Sequence, residues 1–203
     1  SMKKTMCSLG GAVTVLFLVL STAAIAAGPL EEIRLTVDTI IGILQDDSLS
    51  GEERQSKVST MVKERFDFRT MAQGVLATNW KKASAEEKDR FVELFSQLLE
   101  ATYRERIDTY NNERVEYDSE KIRKGRAVVE TRVVTADVEI PIQYKLLSKG
   151  GEWRAYDVVI EGVSLVRNYR DSYREIVGKE GMTGLLAKME NKIDELKNTE
   201  AGK

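Results

Sequence analysis

Histidine is absent from this chain of 203 residues, and cysteine occurs once, as Cys7. Without histidine the chain lacks the usual general base, the usual metal ligand and the usual pH switch. Cys7 lies in an N-terminal segment that we expect to be removed, so the remaining chain would have neither a disulfide nor a reactive thiol. These absences leave few side chains with which the protein could catalyse a reaction or hold a metal.

The charge balance is close to neutral, with 31 Lys and Arg against 33 Asp and Glu and a formal net charge of −2. This slightly acidic balance argues against nucleic acid as a partner, and against adsorption to anionic membranes through charge alone. The sequence also lacks a glycine-rich phosphate-binding loop, since the pair Gly10-Gly11 belongs to the N-terminal segment.

Asp157 and Glu161 are the best candidates for a catalytic carboxylate pair. They flank an apolar run that predicts a strand, and at roughly 3.3 Å per residue the two would lie about 13 Å apart. That distance exceeds the separation of the two carboxylates in a glycosidase. We therefore interpret both acids as structural, and expect a protein that is not an enzyme and has no cofactor and no metal site.

The N-terminal segment has the organisation of a secretion signal. We expect Met2 to be the natural start, with Ser1 an added residue. Two lysines follow, and an apolar run over 12–25 ends in small residues. The run is shorter than the roughly 20 residues that a transmembrane helix needs. We expect a signal peptide over residues 1–26, cleaved after Ala26, and a single domain over residues 27–203.

Hydrophobic periodicity predicts helices, then a sheet, then helices again. Apolar residues recur at helical spacing in the first half of the chain, and the capping-box pattern from Ser84 to Glu87 opens the longest helix. From Val115 the period changes to two, and the pair Gly150-Gly151 predicts a hairpin. After Gly162 the pattern predicts a return to helix from about Asn168. We expect an α+β fold in which helices pack on one antiparallel β-sheet of four to five strands.

Four segments carry recurring patterns of aromatic, apolar and glycine residues. They are Phe66-Asp-Phe-Arg-Thr-Met-Ala72 with Val75-Leu76 and Trp80; Phe91 with Phe95, Leu98-Leu99 and Thr102-Tyr103; Trp153 with Tyr156-Asp-Val158, Ile160-Glu-Gly-Val-Ser-Leu-Val166 and Asn168-Tyr-Arg170; and Gly181 to Leu186. In this order and at this spacing they resemble the signatures of the MlaC family, also called the toluene-tolerance family. The resemblance covers nearly the whole chain after the expected signal.

The resemblance implies a periplasmic phospholipid-binding shuttle. Such a protein moves glycerophospholipids between the outer and inner membranes in the Mla pathway, which maintains the lipid asymmetry of the outer membrane. It holds the acyl chains in a deep apolar pocket enclosed by the helices and the sheet, with the headgroup near the mouth. The partners implied are an inner-membrane ABC-transporter lipid complex and an outer-membrane lipoprotein–porin complex, and we expect a monomer that docks on them transiently.

Amphipathic position within that fold predicts which residues line the pocket. The predicted lipid-binding residues are Val75, Phe91, Phe95, Leu98, Leu99, Tyr103, Val129, Val133, Ile140, Ile142, Tyr144, Tyr156, Val158, Ile160, Val163 and Leu165. At the pocket mouth we expect Arg167, Tyr169 and Arg170, where a guanidinium could meet a lipid phosphate. Each residue also fits an ordinary core or a helix surface, and the sequence alone does not separate these interpretations.

Two alternatives stay open at this point. One is a ligand-free domain that serves as an interaction scaffold in the cell envelope. The other keeps the pocket but fills it with a different apolar ligand, such as a hopanoid or a solvent molecule.

Overall fold

The computed structural model of the protein describes residues 27–110 and 113–201, with side chains described at all of these positions except 105–108 and 200–201. The expected signal peptide, residues 1–26, lies outside the described residues. The helices are α1 (Pro29–Leu44), α2 (Gly51–Arg65), α3 (Phe68–Leu76), α4 (Thr78–Lys82), α5 (Ala85–Asp108) and α6 (Leu165–Ala201). The strands are β1 (Arg114–Arg123), β2 (Arg126–Val134), β3 (Glu139–Lys149), β4 (Glu152–Ile160) and β5 (Val163–Ser164).

Polar side chains fix where several helices begin. The Ser84 hydroxyl accepts the Glu87 N–H at 3.1 Å while Glu87 accepts the Ser84 N–H at 2.8 Å, which confirms the capping box predicted for α5. α2 begins with the same reciprocal pair, between Ser50 and Glu53. At the start of α3, Asp67 accepts the Thr70 N–H at 2.9 Å.

The five strands form one sheet in the order β1-β2-β3-β4-β5, and every neighbouring pair is antiparallel. The β3–β4 hairpin turns at Gly150 and Gly151, whose φ angles of +61° and +85° favour glycine. Two-residue periodicity therefore predicted the sheet, and the glycine pair predicted this turn. The expected α+β class with helices on one antiparallel sheet is confirmed.

The hydrophobic core has two parts. The larger part joins α3, α5 and α6, and its centre includes the fully buried Met71, Phe91 and Phe95. The Phe91 and Phe95 rings stack at a centroid distance of 5.8 Å. The smaller part packs α1 on the sheet through Ile33, and Phe66 contacts both parts.

Helix α6 is long but bent. Gly181 within it has φ +70° and ψ −175°, which separates two helical segments at a kink, and that φ suits glycine. Across the described ranges, none of the helices combines the length and the apolar character that a bilayer span requires.

Candidate functional site

An apolar cavity of about 250 Å³ lies between the sheet and the helices. Its wall comes from α2, α3, α5, the first residue of α6, β3 and β4. The lining residues are Gln55, Val58, Ser59, Val62, Lys63, Phe66, Phe68, Met71, Ser96, Leu99, Glu100, Tyr103, Arg104, Ile142, Tyr144, Val158, Ile160 and Leu165.

The sheet contributes a flat apolar wall. Ile142 pairs with Ile160 and Tyr144 pairs with Val158 across the β3–β4 ladder. Residues two apart on a strand point to the same face, so these four side chains form one continuous patch. Burial raises the pKa of the Tyr144 hydroxyl to about 12, so this hydroxyl is neutral at physiological pH.

The helices contribute the opposite apolar wall. On α2, Val58 and Val62 lie four residues apart, and Phe66 follows at the same interval just after the helix ends; on α5, Leu99 and Tyr103 are also four apart. Residues four apart share one face of a helix, so each helix directs one apolar row at the cavity.

A polar row runs beside each of these apolar rows. Gln55, Ser59 and Lys63 lie on α2, and Ser96, Glu100 and Arg104 lie on α5; we call these six residues the α2–α5 seam. The Ser59 hydroxyl donates to Glu100 Oε2 at 3.0 Å, and the Lys63 ammonium lies 3.8 Å from the same oxygen. The seam therefore forms the polar, partly exposed side of the cavity.

Asp157 fixes the start of α6 at the cavity. Its buried carboxylate accepts hydrogen bonds from the Ser164 hydroxyl at 2.7 Å, the Lys145 ammonium at 3.1 Å and the Val166 N–H at 3.2 Å. These contacts place Leu165, between Ser164 and Val166, in the cavity wall. Asp157 therefore has a structural role in this geometry.

Seven of the sixteen predicted lining residues lie in the cavity wall. They are Leu99, Tyr103, Ile142, Tyr144, Val158, Ile160 and Leu165. Five others are buried in the core: Val75, Phe91, Phe95, Leu98 and Val129. Four lie elsewhere: Val133 and Ile140, which pair across β2 and β3; Tyr156, which packs at the edge of the helical core under Arg126; and Val163, which is 57% exposed.

Position along a helix, rather than the face alone, separates core from cavity on α5. Phe95, Leu99 and Tyr103 share one face at a spacing of four, yet Phe95 packs against Tyr169 of α6 while Leu99 and Tyr103 line the cavity. The first half of α5 is covered by α6 and α3, and the second half borders the cavity and contacts α2 through Glu100. Hydrophobic periodicity identifies the apolar face of a helix, but it does not identify the elements that pack on that face.

The residues predicted at the mouth lie outside the cavity wall. Arg167 is exposed on α6. The Tyr169 and Phe95 rings meet edge-to-face with their centroids 5.2 Å apart. The Arg170 guanidinium donates a hydrogen bond of 2.7 Å to the Gly74 carbonyl. The physical reason is the course of α6, which begins at the cavity with Leu165 and then runs across α3 and α5.

Helix α2 is the part of the site that the prediction missed. None of its five lining residues was predicted, and neither were Phe66, Phe68, Met71, Ser96, Glu100 and Arg104. The spacing of Val58, Val62 and Phe66 was a usable signal for the apolar row. The polar seam had no such signal, because charged residues on a helix normally face solvent.

Among the described residues, no three His, Cys, Asp or Glu side chains come together in a group that could hold a metal ion. The cavity wall offers apolar contact and, at the seam, hydrogen bonds and charge.

The chain matches the model of a known protein family over residues 34–191, and that family is described as MlaC protein. It is 26% identical over 184 residues to the intermembrane phospholipid transport system binding protein MlaC of Haemophilus influenzae, covering 86% of each chain. It is 31% identical over 103 residues to the toluene tolerance protein ttg2D of Pseudomonas putida, covering 50% of this chain and 48% of that protein.

A solved structure shares the fold. It is a phospholipid-binding protein from Ralstonia solanacearum, determined in complex with a phospholipid, with a TM-score of 0.76 and 21% sequence identity. The similarity covers 84% of this chain and 99% of that one. The family match spans most of the chain and the fold agrees with it, so this protein belongs to the MlaC family.

Proposed function

We propose that this protein is a periplasmic phospholipid-binding transport protein that holds acyl chains in the cavity between α2, α5 and the β3–β4 face. The observation that carries the proposal is the cavity wall, which is apolar or aromatic on every side except the α2–α5 seam. The MlaC relative and the lipid-bound Ralstonia protein support the same ligand class.

An apolar cavity suits a carrier because of how acyl chains partition. Each methylene moved from water to an apolar environment gains about 0.8 kcal/mol, so a free phospholipid crosses water at a large cost. A bilayer and an apolar cavity are similar environments, so transfer between them has a small net free energy. The protein therefore lowers the barrier without trapping its ligand, and direction comes from its partners.

We propose that the cavity wall moves when lipid binds. At about 250 Å³ it exceeds the roughly 150 Å³ that holds a benzene-sized molecule. It is smaller than most sites for larger ligands, which run from about 300 to 1,000 Å³. Two full acyl chains would need more volume, which movement of α2 away from the sheet would supply. Helix α2 is suited to such movement, because Val58 is its single buried residue.

We propose further that the protein acts as a monomer in the periplasm. It would receive and deliver glycerophospholipid at an inner-membrane ABC-transporter complex and an outer-membrane lipoprotein–porin complex. Family membership supports these partners. A ligand-free scaffold would have no use for an apolar cavity of this kind, and a catalytic role for Asp157 competes with the three hydrogen bonds it accepts.

A two-stage transfer assay tests the function. The protein, purified without detergent, is incubated with vesicles that contain labelled phospholipid, separated from them, and then mixed with unlabelled vesicles. We expect about one labelled lipid per protein after the first stage and its appearance in the acceptor vesicles after the second. Protein that emerges from the first stage without label would overturn the proposal, and a different extracted molecule would identify the ligand as another apolar compound.

A further inference from the structure

The polar residues of the cavity wall lie almost entirely in the α2–α5 seam. Apart from the tyrosines, the wall's polar side chains are the six of the α2–α5 seam, at positions 55, 59 and 63 on one helix and 96, 100 and 104 on the other. Equal steps of four place each set along one side of its helix. The described walls from α3, α6, β3 and β4 contribute no charged residue.

The seam directly adjoins the apolar interior. Ser59 follows Val58, Lys63 follows Val62, and Arg104 follows Tyr103, so on each helix a polar rim residue is the chain neighbour of an interior residue. A molecule whose apolar part fills the interior would bring a polar end to this rim. An amphiphile therefore meets a complementary surface, with its polar group beside Lys63 and Arg104.

The seam places two cationic side chains at the edge of the cavity. Two cations, Lys63 and Arg104, accompany one carboxylate, Glu100. The Lys63 ammonium lies 3.8 Å from Glu100 Oε2 and its side chain is 58% exposed, a distance longer than a hydrogen bond. An exposed pair of this kind contributes little stability, so a stronger anionic partner can displace the carboxylate at low cost.

We propose that Lys63 and Arg104 bind the phosphodiester group of the phospholipid whose acyl chains occupy the cavity, an inference that rests on the proposed function. A guanidinium offers paired N–H donors to phosphate oxygens, and an ammonium supplies a point charge. Glu100 competes for Lys63 and so favours release of the lipid. This places the headgroup at the α2–α5 seam, away from Arg167 and Arg170.

A competition experiment tests the assignment. The protein is equilibrated with vesicles that contain phosphatidylethanolamine and diacylglycerol with identical chains in equal amounts. Lipid extracted from the vesicle-free protein is then quantified by mass spectrometry. We expect the lipid bound to wild-type protein to be enriched in the phospholipid over diacylglycerol. In the Lys63→Gln/Arg104→Gln variant this enrichment should be about tenfold lower. The Glu100→Gln variant should be more enriched than wild type.

A matched control separates the effect of charges at the seam from the effect of the protein's net charge. Lys57→Gln/Lys82→Gln also removes two positive charges, but from exposed positions outside the cavity wall. This variant should keep the wild-type ratio of phospholipid to diacylglycerol. Equal ratios in wild type and the Lys63→Gln/Arg104→Gln variant, with lipid still bound, would overturn the phosphate site and leave the proposed function intact. Wild-type protein that takes up neither lipid would overturn the proposed function itself.

Free phosphate is distinguished in the same assay. Inorganic phosphate at millimolar concentration should leave the wild-type ratio unchanged, because it has no acyl chains to bind the cavity. Loss of the phospholipid enrichment under that condition would show that the seam is a site for free phosphate and would contradict the proposal.

Discussion

The Ser164 hydroxyl donates a hydrogen bond of 2.7 Å to Oδ2 of Asp157, seven residues earlier in the chain. The other oxygen of the carboxylate accepts the Val166 N–H at 3.2 Å. Together these bonds fix the end of β4 to the start of α6. Leu165, which lines the cavity, is held between the two donors.

Asp157→Asn should lower the free energy of unfolding by about 2–3 kcal/mol. The amide keeps the shape of the side chain but removes its charge, so the Lys145 ammonium and the Ser164 hydroxyl lose an ionised acceptor. Urea denaturation at pH 7 measures the change. Asp171→Asn is the control, since it removes an exposed i,i+3 pair with Arg174 and should cost less than about 0.5 kcal/mol. Equal effects of the two substitutions would show that Asp157 does not anchor α6.

Ile142→Trp should reduce the amount of bound lipid while the protein still folds. Ile142 lies in the cavity wall beside open volume, so a larger ring fills space that the acyl chains need. The control is Val163→Trp, at a position that is 57% exposed and outside the wall. Lipid-to-protein ratios after vesicle incubation compare the two. Unchanged loading of Ile142→Trp, or an equal loss in Val163→Trp, would place the acyl chains somewhere other than this cavity.

Gly74→Ala should destabilise the protein by about 1–2 kcal/mol, although alanine normally favours a helix. A Cβ at this position would lie 2.8 Å from Cγ1 of Val166, where α3 and α6 approach closely. Thermal denaturation measures the effect, and Gly178→Ala is its control, because a Cβ there meets nothing within 4 Å. In a double-mutant cycle, Val166→Ala should relieve part of the cost. Additive effects of Gly74→Ala and Val166→Ala would show that the contact does not limit α3–α6 packing.

Asp67 should make stability depend on pH in the acidic range. Burial by itself raises the pKa of Asp67, but hydrogen bonds from Thr70 and Lys149 outweigh it and hold the pKa below its usual value. A lowered native pKa stabilises the fold above the unfolded pKa of about 3.9. That contribution disappears as the pH falls through the native pKa.

The Asp67→Asn variant isolates this contribution. At pH 7 it should be less stable than wild type by about 1–2 kcal/mol, and the difference should shrink once the pH falls below about 3.9. Urea denaturation of both proteins from pH 7 to pH 3 measures it. A difference that stays constant over that range would contradict an ionised, stabilising Asp67.

The sequence predicted the elements of the fold well because their signals are local. The pair Ser84 and Glu87 marked the start of α5, and Gly150-Gly151 marked the β3–β4 turn. The start of α6 was expected near Asn168 but lies at Leu165. The difference arises because Asp157, on a strand, accepts the Val166 N–H, and such a contact depends on tertiary structure.

The site was predicted in part, and the reason lies in what surrounds each apolar face. Ile142 and Val158 have apolar neighbours at strand spacing, as do core residues, and here the helices leave space above them. Val129, in the same sheet, is covered by α1 and fully buried. Helix α2 was missed because it is mostly polar, although it contributes Val58 and Val62 to the wall.

Native mass spectrometry of the protein, purified from a Gram-negative envelope without detergent, tests the central claim most directly. The account predicts a mass above that of the polypeptide, and extraction of the same sample should identify the difference as a glycerophospholipid. A spectrum that shows only the polypeptide mass, both as purified and after incubation with phospholipid vesicles, would contradict it.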